Sequence, residues 1–198
     1  MPKIVDFDVK RREIAAQAVT VLVQNGIQET NLGKIAKHCG MGRTTLYEYF
    51  TNVGELINFT LEETFRRLFD DIDAIRDDRT GSATDRIVRY VHYIEQFLFA
   101  EKDRMILMFD FLFHPDRENP GVTFNSQAHI RTLRLGLQTI IEEAITAGEL
   151  KPVDPESMAF TLFASIEGAT IHAVLYDRTL AEKTMRDMEL LIEGLKKD

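Results

Sequence analysis

Arg43, Thr44, Thr45, Tyr47, Glu48 and Tyr49 fall within one short stretch of the chain. These side chains suit nucleic acid. Arginine donates two parallel hydrogen bonds to a guanine edge, and threonine donates, accepts or packs on a thymine methyl. Tyrosine and backbone amides mostly meet phosphate. The chain carries no nucleophile elbow, no His-Glu-x-x-His pair and no glycine-rich phosphate loop, so the common hydrolase and nucleotide-binding signatures are missing.

Two short helices joined by a tight turn are needed to present that stretch. The spacing predicts one helix over about 31–38, with Thr30 or Asn31 as its cap and Leu32, Ile35 and Ala36 on its apolar face. Cys39-Gly40-Met41-Gly42 reads as the turn, and a second helix follows over 43–49. Leu46 and Phe50 interrupt its polar surface and mark the buried side. An amphipathic helix over about 8–25, ending at Asn25-Gly26, supplies the third wall. Helical periods continue over 53–77, 83–100, 102–113, 122–147, 155–177 and 181–196, separated by Gly, Pro and Asn clusters. Ser82 or Thr84 is the candidate cap of the fifth. No stretch alternates as a strand does, so the expected fold is all-α with about nine helices.

This pattern resembles the TetR family of bacterial transcriptional regulators. The resemblance rests on the helix ending near Gly26, on Thr30, Ile35-Ala36 and Gly40-Met41, and above all on Thr45-Leu46-Tyr47-Glu48-Tyr49-Phe50 followed by Glu55-Leu56. It implies a helix-turn-helix DNA-binding domain over residues 1–52 and a helical ligand-binding and dimerisation domain over 53–198. It also implies that Arg43, Thr44 and Thr45 face bases or nearby phosphates, and that Thr30, Tyr47 and Tyr49 meet phosphate. Val53 stands where the family often has a lysine on phosphate, so that contact is not expected here.

Charge is divided in the same way. The 198-residue chain has a net charge of -8, which taken whole disfavours nucleic acid. Residues 1–50, however, hold seven basic side chains (Lys3, Lys10, Arg11, Arg12, Lys34, Lys37, Arg43) against five acidic ones (Asp6, Asp8, Glu13, Glu29, Glu48). The acidity therefore belongs to the remainder. Lys10, Arg11 and Arg12 read either as contacts to the DNA backbone or as a solvated helix start. Lys34 and Lys37 carry the same two readings. The single cysteine, Cys39, excludes an intrachain disulfide and fits a cytoplasmic protein. The start of the chain does not read as a secretory signal, and no uninterrupted apolar run reaches membrane-spanning length, so no membrane partner is expected.

The later helices carry the candidate sensor and dimer surfaces. Aromatic and methionine residues in the middle of the chain serve as core or line a cavity for a small, largely apolar ligand. Tyr93, Phe97, Met108, Phe109, Asp110 and Glu167 are the candidate lining. The two carboxylates interrupt apolar runs and need partners, for which His114 and Arg104 are available to Asp110. His92 and Glu95 are three apart, but no second pair joins them, so no metal or cofactor is expected. A palindrome reader needs a partner copy. Ile166, Gly168 and Ala173, with the Leu180, Thr184, Met188, Leu191 and Leu195 stripe, are the candidate dimer interface, with intrachain core as the alternative. The expectation is a cytoplasmic homodimeric repressor, not an enzyme, that binds a palindromic operator in double-stranded DNA and is released by its small-molecule effector.

Overall fold

The computed structural model describes residues 6–113, 121–176 and 178–197. These residues form nine helices: α1 (Phe7–Asn25), α2 (Leu32–His38), α3 (Arg43–Tyr49), α4 (Val53–Asp77), α5 (Ala83–Ala100), α6 (Lys102–Phe113), α7 (Ser126–Thr146), α8 (Pro155–Leu175) and α9 (Arg178–Gly194). Among the described residues there is no strand, only an isolated bridge between Leu150 and Lys196.

Side-chain caps set the helix starts by satisfying amides that have no partner inside the helix. Asp6 accepts from Asp8 N at 3.0 Å, Asn31 from Lys34 N at 3.0 Å, Ser82 from Asp85 N at 2.9 Å and Asp154 from Ser157 N at 2.7 Å. Asn31 and Ser82 are therefore the caps, rather than Thr30 and Thr84. The turn after α1 passes through Gly26 at φ 79 and the turn after α2 through Gly40 at φ 63, a backbone region that side chains disfavour.

Two helix starts differ from the sequence reading. α7 begins at Ser126 rather than near 122, because Asn58 Oδ1 accepts from the amides of Thr123 and Phe124 and holds that segment out of the helix. α9 begins at Arg178, since arginine and threonine are tolerated in a first turn and do not break it.

The described chain divides into two compact units, Met1–Phe65 with Asp103–Ser126, and Arg66–Lys102 with Gln127–Asp198. In the first, Ile14, Ala18, Leu22, Ile35, Leu46, Phe50 and Leu61 are buried, and Phe65 packs on Phe124 at 5.4 Å between ring centroids. In the second, Ile87, Ile94, Leu137, Ile140, Leu162 and Ile166 form the core. There the buried Tyr90 hydroxyl donates to Leu133 O at 2.8 Å. Arg86 is nearly fully buried and donates to Arg76 O at 2.7 Å and to Glu143 at 2.6 Å.

α8 departs from expectation in one respect. Among the described helices it alone has the length and apolar composition to cross a membrane, and only a third of its most apolar stretch is buried. Phe160, Gly168 and Leu175 are exposed and Ala164 and Ile171 half-buried, so one side of the helix is apolar and uncovered.

Candidate nucleic-acid interface

α3 is seven residues long and is fixed by a single buried side chain of its own, Leu46, which has no exposed surface. Ile35 and Ala36 are buried on α2, and Met41 N donates to Ala36 O at 3.0 Å across the turn. This arrangement turns Arg43, Thr44, Thr45, Tyr47 and Glu48 outward, while Tyr49 is half-buried. The candidate reading residues therefore share one exposed helix surface, apart from Thr30. Thr30 is buried, and its hydroxyl donates to Gly26 O at 2.7 Å, which ties the loop between α1 and α2.

Several of these side chains are held in place before any ligand arrives. Arg43 Nη2 donates to the Tyr47 hydroxyl at 3.3 Å. The Tyr49 ring stacks on Phe7, from the first turn of α1, at 4.9 Å between centroids. Arg11 is not a free surface cation. Its guanidinium carbon lies 4.7 Å from the Phe50 ring centroid and 4.5 Å from that of Phe59, and Nη2 donates to Glu55 at 2.9 Å. Lys10 pairs with Glu13 at 2.8 Å and Arg12 with Glu63 at 2.7 Å. Lys34 donates to the Glu29 carbonyl, whereas Lys37 is exposed. Sequence reasoning missed the Phe7 stack and the packing of Arg11 on two rings; the aromatic residues flanking α3 were their only trace.

The candidate ligand residues are distributed between the units. Tyr93 and Phe97 are neighbours on α5, 6.2 Å apart between ring centroids, and the Tyr93 hydroxyl donates to the Asp71 carboxylate. Burial and that carboxylate push the Tyr93 phenol up to about 12. Burial also raises Glu167, with Arg134 pulling it partly back. Met108 is buried, while Phe109 and Asp110 are half-buried in the first unit. Asp110 lines a cavity of ≈ 400 Å³ with Leu22, Val23, Ile27, Ile106 and Leu107. Its candidate partner His114 and the side chains of Phe111, Phe113 and Leu180 lie outside the described residues. His92 pairs with Glu189 rather than joining Glu95. Among the described residues no group of His, Cys, Asp and Glu could hold a metal.

Two candidate dimer residues need correction. Ile166 has no exposed surface and Met188 only 2%, because both point into the core of the second unit. Buried side chains cannot present themselves to a partner. Gly168 and Leu191 are exposed, and Ala173 and Leu195 half-buried.

A helix-turn-helix with an outward polar α3, followed by a long helical region, defines a class of DNA-binding regulator. Residues 14–58 match the family described as "Bacterial regulatory proteins, tetR family", and residues 108–188 match "Tetracyclin repressor-like, C-terminal domain". The chain belongs to the TetR family. It is 24% identical over 161 residues to the HTH-type transcriptional regulator YhgD of Bacillus subtilis (strain 168), covering 79% of this chain and 80% of that protein. A TetR transcription regulator from Haloarcula marismortui superposes with a TM-score of 0.79 at 19% identity, covering 96% of this chain and 100% of that one. The ketosteroid transcriptional regulator KstR2 of Mycobacterium tuberculosis superposes with a TM-score of 0.72 at 16% identity, covering 99% and 98%. These two share the fold. The family is one of transcriptional regulators, so the chain is a regulator rather than an enzyme.

Proposed function

We propose that the protein is a cytoplasmic homodimeric repressor that reads a palindromic operator through α3 and is released by a small, largely apolar ligand. The observation that carries this reading is the outward set Arg43, Thr44, Thr45 and Tyr47 around the buried Leu46. Arg43 and the two threonines meet base edges, while Tyr47 and Tyr49 meet phosphate. Residues 1–52 form the reader and 53–198 the ligand-binding and dimerisation part. The second copy covers the exposed apolar side of α8 (Phe160, Gly168, Leu175) together with Leu190 and Leu191 of α9. An uncovered surface of that kind marks an association site in a soluble protein.

The effector binds among the aromatic residues of the helical body, near Tyr93 and Phe97, with Glu167 as a polar anchor. It acts by binding better to the form of the dimer whose two α3 helices do not fit successive major grooves. α4 runs without a break from Val53 to Asp77 and so leads from the end of the reader into the body.

Selection of bound duplexes from a random pool tests the reading. The expected product is an inverted repeat whose half-sites lie one helical turn apart, about 34–36 Å. A pool with no enriched inverted repeat rules it out.

A further inference from the structure

Arg11 belongs to the basic start of α1, yet its charge is turned into the protein. The guanidinium lies over the rings of Phe50 and Phe59, at 4.7 Å and 4.5 Å, in the corner formed where these two rings meet edge to face at 5.6 Å, and the Phe7 ring centroid is 6.0 Å away. Nη2 donates to Glu55 Oε1 at 2.9 Å. The other oxygen of Glu55 accepts from Thr51 N at 2.7 Å and from Thr51 Oγ1 at 2.8 Å. Asn52 Oδ1 in turn accepts from Glu55 N at 2.8 Å. All of these residues lie in the first unit.

The partners share one location. Phe50 is the C-terminal cap of α3, Thr51 and Asn52 form the bend, and Glu55 lies in the first turn of α4. Besides the buried Leu46 and the stack of Tyr49 on Phe7, α3 has few anchors of its own. A helix of seven residues makes few internal hydrogen bonds, and Gly42 gives it no side-chain cap. The exit of α3 is therefore clamped through one arginine that binds two ring faces and one carboxylate. The Nε of Arg11 is buried without a partner, so the stack holds the group where one of its own hydrogen bonds goes unmade.

We propose that Arg11 is a positioning residue for operator recognition, fixing the angle at which α3 leaves the bend, and that it does not contact DNA. This rests on the reading of α3 as the operator-reading helix. Base contacts need α3 placed accurately, whereas attraction to the phosphate chain tolerates displacement. Losing the clamp therefore removes specific binding and spares non-specific binding. Lysine cannot replace the arginine, because a point charge on a flexible stem does not pack flat on the rings while also holding Glu55.

The test is fluorescence anisotropy on the full-length chain with two labelled duplexes over a range of salt. One is the operator selected by the wild-type protein, and the other is an unrelated sequence of equal length. Arg11→Lys is expected to weaken operator binding about tenfold, equivalent to about 1.4 kcal/mol. Its affinity for the unrelated duplex and its salt slope stay at wild-type values. Glu55→Gln removes a negative charge from the DNA-binding unit, which simple electrostatics would make tighter-binding; the clamp predicts weaker operator binding instead. Both variants are conservative, and thermal melting checks that they fold. Wild-type behaviour of Arg11→Lys, or equal losses on the two duplexes, overturns the proposal. So does a salt slope reduced by about 1 in Arg11→Ala, the mark of a lost phosphate contact. A wild-type protein that does not distinguish the duplexes overturns the DNA-reading assignment itself, and the proposal with it.

Discussion

Arg43 and Tyr47 form a pair on the exposed surface of α3. One turn apart, they share a hydrogen bond of 3.3 Å, and the guanidinium carbon lies 5.6 Å from the tyrosine ring centroid. The guanidinium is thereby held against a ring whose hydroxyl is proposed to meet phosphate. Arg43→Ala is expected to relax the preference at one base per half-site and to cost about 1–3 kcal/mol on the best site. Tyr47→Ala weakens operator binding without altering dimerisation. Because the residues touch, the double variant loses less than the sum of the single losses. Repeating the duplex selection with Arg43→Ala checks the first claim, and unchanged consensus bases contradict it. Anisotropy titration of the three variants checks the coupling.

The two sides of α8 and α9 make opposite predictions. Leu191 is 57% exposed and Phe160 56%, whereas Met188 is 2% exposed. Leu191→Asp and Phe160→Asp place a carboxylate on the surface assigned to the second copy. They are expected to weaken the dimer by roughly a hundredfold or more while the monomer stays folded. Met188→Asp buries the charge inside one chain and lowers the melting temperature instead. Sedimentation velocity beside thermal melting separates the outcomes. A Leu191→Asp protein that still sediments as two chains removes that residue from the interface.

Gly136 is required by its neighbour Tyr90. A Cβ built on Gly136 would lie 2.5 Å from the tyrosine hydroxyl oxygen. That hydroxyl cannot move freely, because it donates to Leu133 O. Gly136→Ala is therefore expected to destabilise the fold by about 1–3 kcal/mol. At about 2–4 °C per kcal/mol, this is readily measured in a thermal melt. Tyr90→Phe in the same chain relieves part of the clash. A Gly136→Ala protein as stable as wild type shows that the tyrosine has room.

Two carboxylates predict opposite pH effects. Burial raises Glu167, so the folded chain holds that proton more tightly than the unfolded chain, and the charged form costs stability as pH rises. Glu167→Gln should raise the melting temperature at neutral pH, with the gain vanishing as pH falls below the ordinary carboxylate range. Hydrogen bonding from Arg79, with Arg86 adding to it, lowers Glu143. Its stabilising effect is complete above the ordinary range and is lost as pH falls through the lowered value. Glu143→Gln should therefore reduce the melting temperature at neutral pH and have progressively less effect in acid. Melting curves from about pH 3 to about pH 8 test both signs.

Local chemistry made α2, α3 and their turn legible in the sequence. Gly26, Gly40 and the apolar spacing of Ile35, Leu46 and Phe50 act over a few residues, and these elements formed where expected. Which way a stripe faces was less legible, because tertiary partners decide it. α9 buries Met185, Met188 and Ile192, and turns outward the Leu191 that the sequence placed on the same stripe as Met188. α8 is apolar on nearly every side, so its periodicity carried no direction, and Ile166 was placed on the wrong side. Arg11 was ambiguous for a related reason. A cation near a helix start looks the same in sequence whether it meets solvent, phosphate or a pair of distant rings.

The stack of Phe7 on Tyr49 has a practical consequence for handling the protein. It brings the first turn of α1 against the surface proposed to meet DNA. A bulky group placed at Phe7 itself would therefore sit beside Tyr49, on the surface proposed to meet the duplex. If α3 reads the operator as proposed, a substitution at Phe7 would shift Tyr49 without changing any residue of α3.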